Sequence, residues 1–390
     1  MSPLRKSPLR AAACLLVALL PALAVPAQPM DAQASAELAA VEALGDEAAV
    51  SSSRGDARAS LLLWTQALER MQSLAQAQPA NRTVQMGLAR SHLIVGEALL
   101  SLGASGEARW HFDTAARIQD EGISREGSAL WLLERAQTHD SLAGLHLLVW
   151  NSSQALAEAQ AALSVLTPLS ELGLERQSRE MMMSPHQVRL AQVMQRQAQW
   201  DDAHAILTRQ ELLLLTEISS PEPATSARGR LLWVRELLGE NLRGRGVWAG
   251  AEIQFRLALE MAREDLALEP DDIGNRNSVA WYLYLWGRAL RDLGREVEAR
   301  TAWEEGRQLL WDPLQAVPLE NISTSILDTL AQILLIQGRV EEARPVVERL
   351  LGTGWCMGDF VVLCQQTGLL GMSKRAAARP VPRPPAERPL

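Results

Sequence analysis

Apolar runs of roughly eighteen to twenty residues alternate with short polar turns along most of the chain. Within each run the apolar positions recur every three or four residues, the spacing of one helix face. Ala280 to Gly306, AWYLYLWGRALRDLGREVEARTAWEEG, shows the unit most clearly. An apolar helical run stops at Gly294, a charged turn follows, and a second helix begins near Glu296. The pattern predicts helix pairs and no strands.

Four positions set the frame of this unit: Gly287, then Ala299, Trp303 and Gly306, at offsets of 12, 16 and 19. The small residue recurs at Gly96, Ala143, Ala191, Gly239, Gly287 and Ala331, spaced 47, 48, 48, 48 and 44 residues apart. Twelve residues after each stands an alanine: Ala108, Ala155, Ala203, Ala251, Ala299 and Ala343. Four further on come Phe112, Ala159, Leu207, Phe255, Trp303 and Val347, and three beyond those Ala115, Ala162, Gln210, Ala258, Gly306 and Leu350. Small residues where two helix axes cross let the backbones approach, and a bulky neighbour one turn on fills the adjoining groove. Gly103, Gly246, Gly294 and Gly338 end the first helices, where a left-handed residue is wanted. Pro345 is expected in the first turn of its helix, where proline costs little.

The pattern extends outward in weaker form. Residues 28–57 predict the first helix of a degenerate unit, with Ala48, Ser60, Trp64 and Ala67 in the frame positions, and residues 58–370 the array itself. Gly358 to Leu370, GDFVVLCQQTGLL, is apolar enough to cap the last repeat, and residues 371–390 form a Pro- and Arg-rich tail of disordered composition.

These positions resemble the tetratricopeptide repeat, which carries a small residue on helix A, an alanine and a bulky residue on helix B, then another alanine. Pro270, after the second helix of the Gly239 unit, matches the family's terminal proline. Family repeats run to about 34 residues, whereas these run to 48. Arrays of such long repeats are similar to those that follow the kinase domain of some bacterial serine/threonine kinases. Neither a Gly-rich phosphate loop nor a His-Arg-Asp loop occurs here. The resemblance implies an all-α, right-handed α-solenoid of six or seven helix-turn-helix units plus a C-terminal capping helix.

Composition changes this picture at the ends. Arg5, Lys6 and Arg10 precede an apolar run from Ala11 to Leu20, and Ala22-Leu23-Ala24 or Val25-Pro26-Ala27 offers a small-residue cleavage site. Residues 1–27 therefore predict a secretory signal and a periplasmic or secreted protein, with an uncleaved N-terminal anchor as the alternative. No other segment is expected to span a membrane. The formal net charge of −8 becomes −11 without the signal's three cations, and −15 for Gln28 to Gly371 once the +4 tail is set aside. So acidic a body excludes a nucleic-acid ligand, whose binding depends on neutralising phosphates. Cys356 and Cys364 are either two buried small side chains or a bridge around Gly358; on one continuous helix they would stand about 12 Å apart, beyond disulfide reach.

No catalytic, metal or cofactor motif appears. The six histidines lack the i, i+4 spacing with a glutamate that zinc sites use. His139 and His146, two turns apart on one face, are expected to be ordinary helix-surface residues, and Asp201-Asp202 and Glu304-Glu305 solvated faces. Function is therefore expected on the concave surface. In the family, helix A residues six and three before the small position, and one, four and five after it, line that surface. The carry-over is Trp281, Tyr284, Arg288, Arg291 and Asp292 in the Gly287 unit; Trp233, Glu236, Glu240 and Arg243 in the Gly239 unit; and Asp328 and Gln332 in the last. Trp286 and Trp303 fall at packing positions. Aromatic anchors beside Arg and Glu suit a protein or peptide partner. The expectation is an exported, non-enzymatic scaffold at the bacterial envelope, with a ligand-binding sensor or regulatory array as the alternative.

Overall fold

A computed structural model describes residues 32–171, 176–220, 226–355 and 357–370. The predicted signal at 1–27, the tail at 371–390 and Cys356 lie outside the described residues. The fold among them is all helix. Seven antiparallel pairs follow one another: α1 (Ala32–Ser53) with α2 (Ala57–Ala77), α3 (Arg82–Ser101) with α4 (Ser105–Glu126), α5 (Ala129–Leu148) with α6 (Ser152–Val165), and α7 (Arg176–Arg196) with α8 (Trp200–Ile218). Then come α9 (Ala227–Gly244) with α10 (Trp248–Leu268), α11 (Ile273–Asp292) with α12 (Glu296–Leu314), and α13 (Thr324–Ile336) with α14 (Val340–Gly352). A last helix, α15 (Gly358–Gln366), packs on α13. Each helix packs mainly on its chain neighbours, as in an α-solenoid.

The crossing within each pair is built by volume matching. A Cβ placed on Gly96 would run into the Phe112 ring, one on Gly239 into Phe255, and one on Gly287 into Trp303. Where the second helix carries a smaller side chain, the first carries alanine: Ala143 with Ala159, Ala191 with Leu207, Ala331 with Val347, all buried. In these three units glycine stands where an aromatic ring reaches the opposing backbone; in the first unit Ala48 holds the frame position and Gly45, one turn earlier, meets the Trp64 ring. The alanines twelve residues on, Ala108 to Ala343, are all completely buried.

The A–B turns share one geometry. Gly103, Gly246, Gly294 and Gly338 adopt φ between 74° and 84°, and the next residue's N–H closes the turn on a carbonyl five back, as in Val247 N to Leu242 O (2.8 Å) and Arg295 N to Leu290 O (2.8 Å). Trp150 (φ 58°) and Ala198 (φ 59°) occupy the same place in the third and fourth units, with the same bonds from Asn151 and Gln199. Side chains in this conformation are strained, which is why glycine alone marks the turn in sequence. Pro345 departs from expectation: α14 starts at Val340, so the proline sits in the second turn, where its missing N–H removes a helix bond.

The coil winds tightly enough for its ends to meet. Ile273 at the start of α11 stands against Gly55, Arg349 Nη2 donates to Leu102 O (3.4 Å), and Gly103 abuts Thr353. Units one and two thus touch units six and seven.

Two stability outcomes follow. Gly239→Ala should lower stability by about 1–3 kcal/mol through overpacking, and Phe255→Leu in the same chain should return part of it; denaturant unfolding checks both. Ala198→Gly should be neutral or raise the melting temperature slightly by relieving the left-handed strain, whereas Gly246→Ala should lower it.

Candidate functional site: the inner face

Inward side chains of successive first helices form a polar column. Arg90 on α3 bonds Glu134 on α5 through Nε (3.1 Å), and Glu97 accepts from Ser141 Oγ (2.9 Å). Asp140 Oδ2 is 2.7 Å from His186 Nδ1 on α7. Arg243 Nε donates to Asp292 (2.6 Å) and Arg288 Nη1 to Glu240 (3.1 Å), so charged pairs tie neighbouring helices at nearly the repeat spacing. Arg288 also pairs with Asp359 at the start of α15.

Aromatic rings stand among these charges. The Arg189 guanidinium lies 4.8 Å from the Trp233 ring centre and that of Arg288 5.4 Å from Tyr284, within cation–π range. Trp281 stacks on Tyr284, ring centres 5.4 Å apart. The side chains of Trp281 and Tyr282 face the Glu236 carboxyl closely enough to favour its ionised form.

Of the eleven positions carried over from the family, Trp233, Glu236, Glu240, Arg243, Trp281 and Asp292 are partly exposed on this inner face. Tyr284, Arg288, Asp328 and Gln332 are buried instead. Asp328 accepts from Trp355 Nε1 (3.0 Å) and Gln332 Nε2 (2.8 Å), beside the turn that leads into α15. They support the groove from beneath and offer it no open surface. Arg291 is exposed, but its guanidinium lies over Trp303 of α12, away from the column, because that ring reaches across the crossing at Gly287. Glu97 and Asp140 were missed although they occupy the same frame offsets as Glu240 and Glu236; applying the offsets to every unit finds them. Asp359, Trp355 and Arg189 lie off those offsets.

Among the described residues three inward carboxyls form no ion pair with an arginine, although the Arg189 charge acts on one of them, Glu97. Burial pushes Glu97, Glu236 and Asp328 each up to about 7. Ser141 and the Arg189 charge pull Glu97 back, Trp281 and Tyr282 oppose the rise at Glu236 while Glu240 adds to it, and Trp355 and Gln332 oppose it at Asp328 while Asp359 adds to it. Elsewhere histidine and acid readings need correction. His146 is buried, its neighbour His139 lies 2.6 Å from Glu158, and Glu304 is held down to about 2 by Arg307 and further donors, so it is no free solvated acid. His92 and His111 meet at 3.0 Å, and burial lowers both. An open depression of about 680 Å³ between α4 and α6 is lined by the His139–Glu158 and Arg135–Asp120 pairs, whose charges are mutually satisfied. Among the described residues no three metal-ligating side chains converge, and no helix is long and apolar enough to cross a membrane. Cys364 is buried, which pushes its thiol up to about 12.

Solved structures share the architecture. NprR, solved in complex with its cognate peptide NprX, superposes with a TM-score of 0.52 at 12% identity, over 90% of this chain and 85% of that one. The fold is a tetratricopeptide-like solenoid. BtubC from P. vanneervenii (TM-score 0.47, 13% identity, 64% and 89% of the two chains) and a Rap protein complexed with competence and sporulation factor (0.46, 13%, 80% and 76%) are also similar. No family model matches the chain, and no curated protein does.

A carboxyl raised in the folded state binds more protons there than in the unfolded chain. Between the ordinary carboxylate range, about 4, and about 7, these three groups therefore make stability fall as pH rises. Glu236→Gln should remove its share: the melting temperature of the variant relative to the parent should climb from pH 5 to pH 8. A relative decline would contradict the raised carboxyl.

Proposed function

We propose that this chain is an exported, non-enzymatic binding protein of the bacterial envelope that seats a peptide segment of a partner along its inner face. One observation carries the reading. Trp233, Glu236, Glu240 and Trp281 present partly exposed aromatic and acidic groups from adjacent first helices of an array whose first two units touch its last two. Aromatic rings contribute contact area at little entropic cost, and fixed charges select among partners. NprR, of the same fold, was solved with a peptide, which supports a peptide over a small metabolite. The predicted signal at residues 1–27 is the support for export.

A preformed groove binds without bond chemistry, and its affinity rests on a few anchors. Trp233→Ala should weaken a peptide selected against the purified protein by roughly tenfold or more, with helical content and melting temperature little changed. Unaltered affinity would remove Trp233 from the site, and failure of any peptide to bind would remove the reading. Fractionation of the native cells should place the mature chain outside the cytoplasm; retention in the cytosol would overturn export.

A further inference from the structure

The inner face repeats a two-part arrangement, an aromatic ring with carboxylates close by. At Trp233 the ring is covered by Arg189, whose charge burial disfavours and Asp140 and Glu97 partly restore. At Tyr284 the ring is covered by Arg288, which pairs with Glu240 and Asp359. In both seats the chain supplies its own guanidinium.

Trp281 and Glu236 make a third such seat without one. Trp281 is partly exposed, stacks on Tyr284, and brings its indole N–H close enough to Glu236 to favour the carboxylate. Glu236 is partly exposed too, and it is held only by the neutral donors of Trp281 and Tyr282. Among the described residues no arginine, lysine or histidine pairs with Glu236 or stacks on Trp281. On the same face of the helix the next charge is Glu240, one turn on, whose own partner is Arg288; Arg235, adjacent in sequence, pairs with Glu211 instead.

We propose that Trp281 and Glu236 receive a guanidinium or ammonium side chain from the peptide seated in the groove, so that the partner segment carries an arginine or lysine at this place. The proposal rests on the peptide-binding reading. An indole face gives a cation its best aromatic partner, and a carboxylate lacking a counter-charge gains most from one that arrives with a ligand. An acidic side chain in the same place would face both Glu236 and Glu240, a repulsion that excludes it.

The test is a positional-scanning library of nonapeptides bound to immobilised full-length protein, followed by titration of the selected peptide. The expected result is enrichment of arginine or lysine, with glutamate and aspartate excluded, at one position. Replacing that residue by citrulline or norleucine should lower affinity about tenfold. Glu236→Gln, which keeps a hydrogen-bond acceptor for Trp281 and Tyr282, should abolish the preference at that position and leave the others. Trp281→Phe, which keeps a ring against Tyr284, should weaken the basic peptide while retaining its selectivity. A selected motif with no basic residue, or a basic preference that survives Glu236→Gln, overturns the proposal and leaves peptide binding standing. Selection of no peptide at all overturns both.

Discussion

Every helix pair in this protein depends on how closely two backbones cross. Where the second helix sends Phe112, Phe255 or Trp303 into the crossing, the first helix has no side chain at all; where it sends Ala159, Leu207 or Val347, the first helix has a methyl group. Packed interiors leave no slack for a mismatch of one carbon. The sum of the two volumes is therefore more constrained than either residue alone, and it keeps successive units at similar distances and angles. A solenoid amplifies any per-unit deviation along its length. Here the units stay regular enough for the first two to touch the last two at Gly55 and Gly103.

That regularity produces the inner face. Equivalent positions on neighbouring first helices come opposite each other, so Arg243 finds Asp292 and Arg288 finds Glu240. The pairs are partly buried, where breaking one partner leaves the other uncompensated. They work as struts between repeats. The residues left over, chiefly Trp281 and Glu236, are the ones with unspent binding capacity.

Much of this was legible in the chain. The period, the alanine twelve residues on and the four turn glycines follow directly from sterics that few residues satisfy. The turns at Trp150 and Ala198 were not legible, because nothing in a tryptophan or alanine signals a left-handed backbone that its neighbours impose. Of the positions the inner-face offsets name, Trp233, Glu236 and Glu240 are partly exposed, whereas the long Arg291 side chain turns to the nearest aromatic face, Trp303. The offsets also missed the cap's effect. Trp355 and Asp359 are distant in sequence from Asp328 and Arg288, and only the packing of α15 on α13 brings them together. The raised carboxyls were invisible for the same reason, since burial is a property of the whole coil.

Peptide recognition, on this account, follows from a scaffold whose geometry is set by paired volumes. The most direct measurement transplants one pair into a unit that lacks it. Leu207→Phe alone in the fourth unit should overpack against Ala191 and lower the unfolding free energy; adding Ala191→Gly should recover most of the loss. Near-complete recovery, seen as a strong favourable coupling in the double-mutant cycle, is the predicted result. Losses that simply add would contradict the claim that the crossing is governed by the matched volume of the two residues.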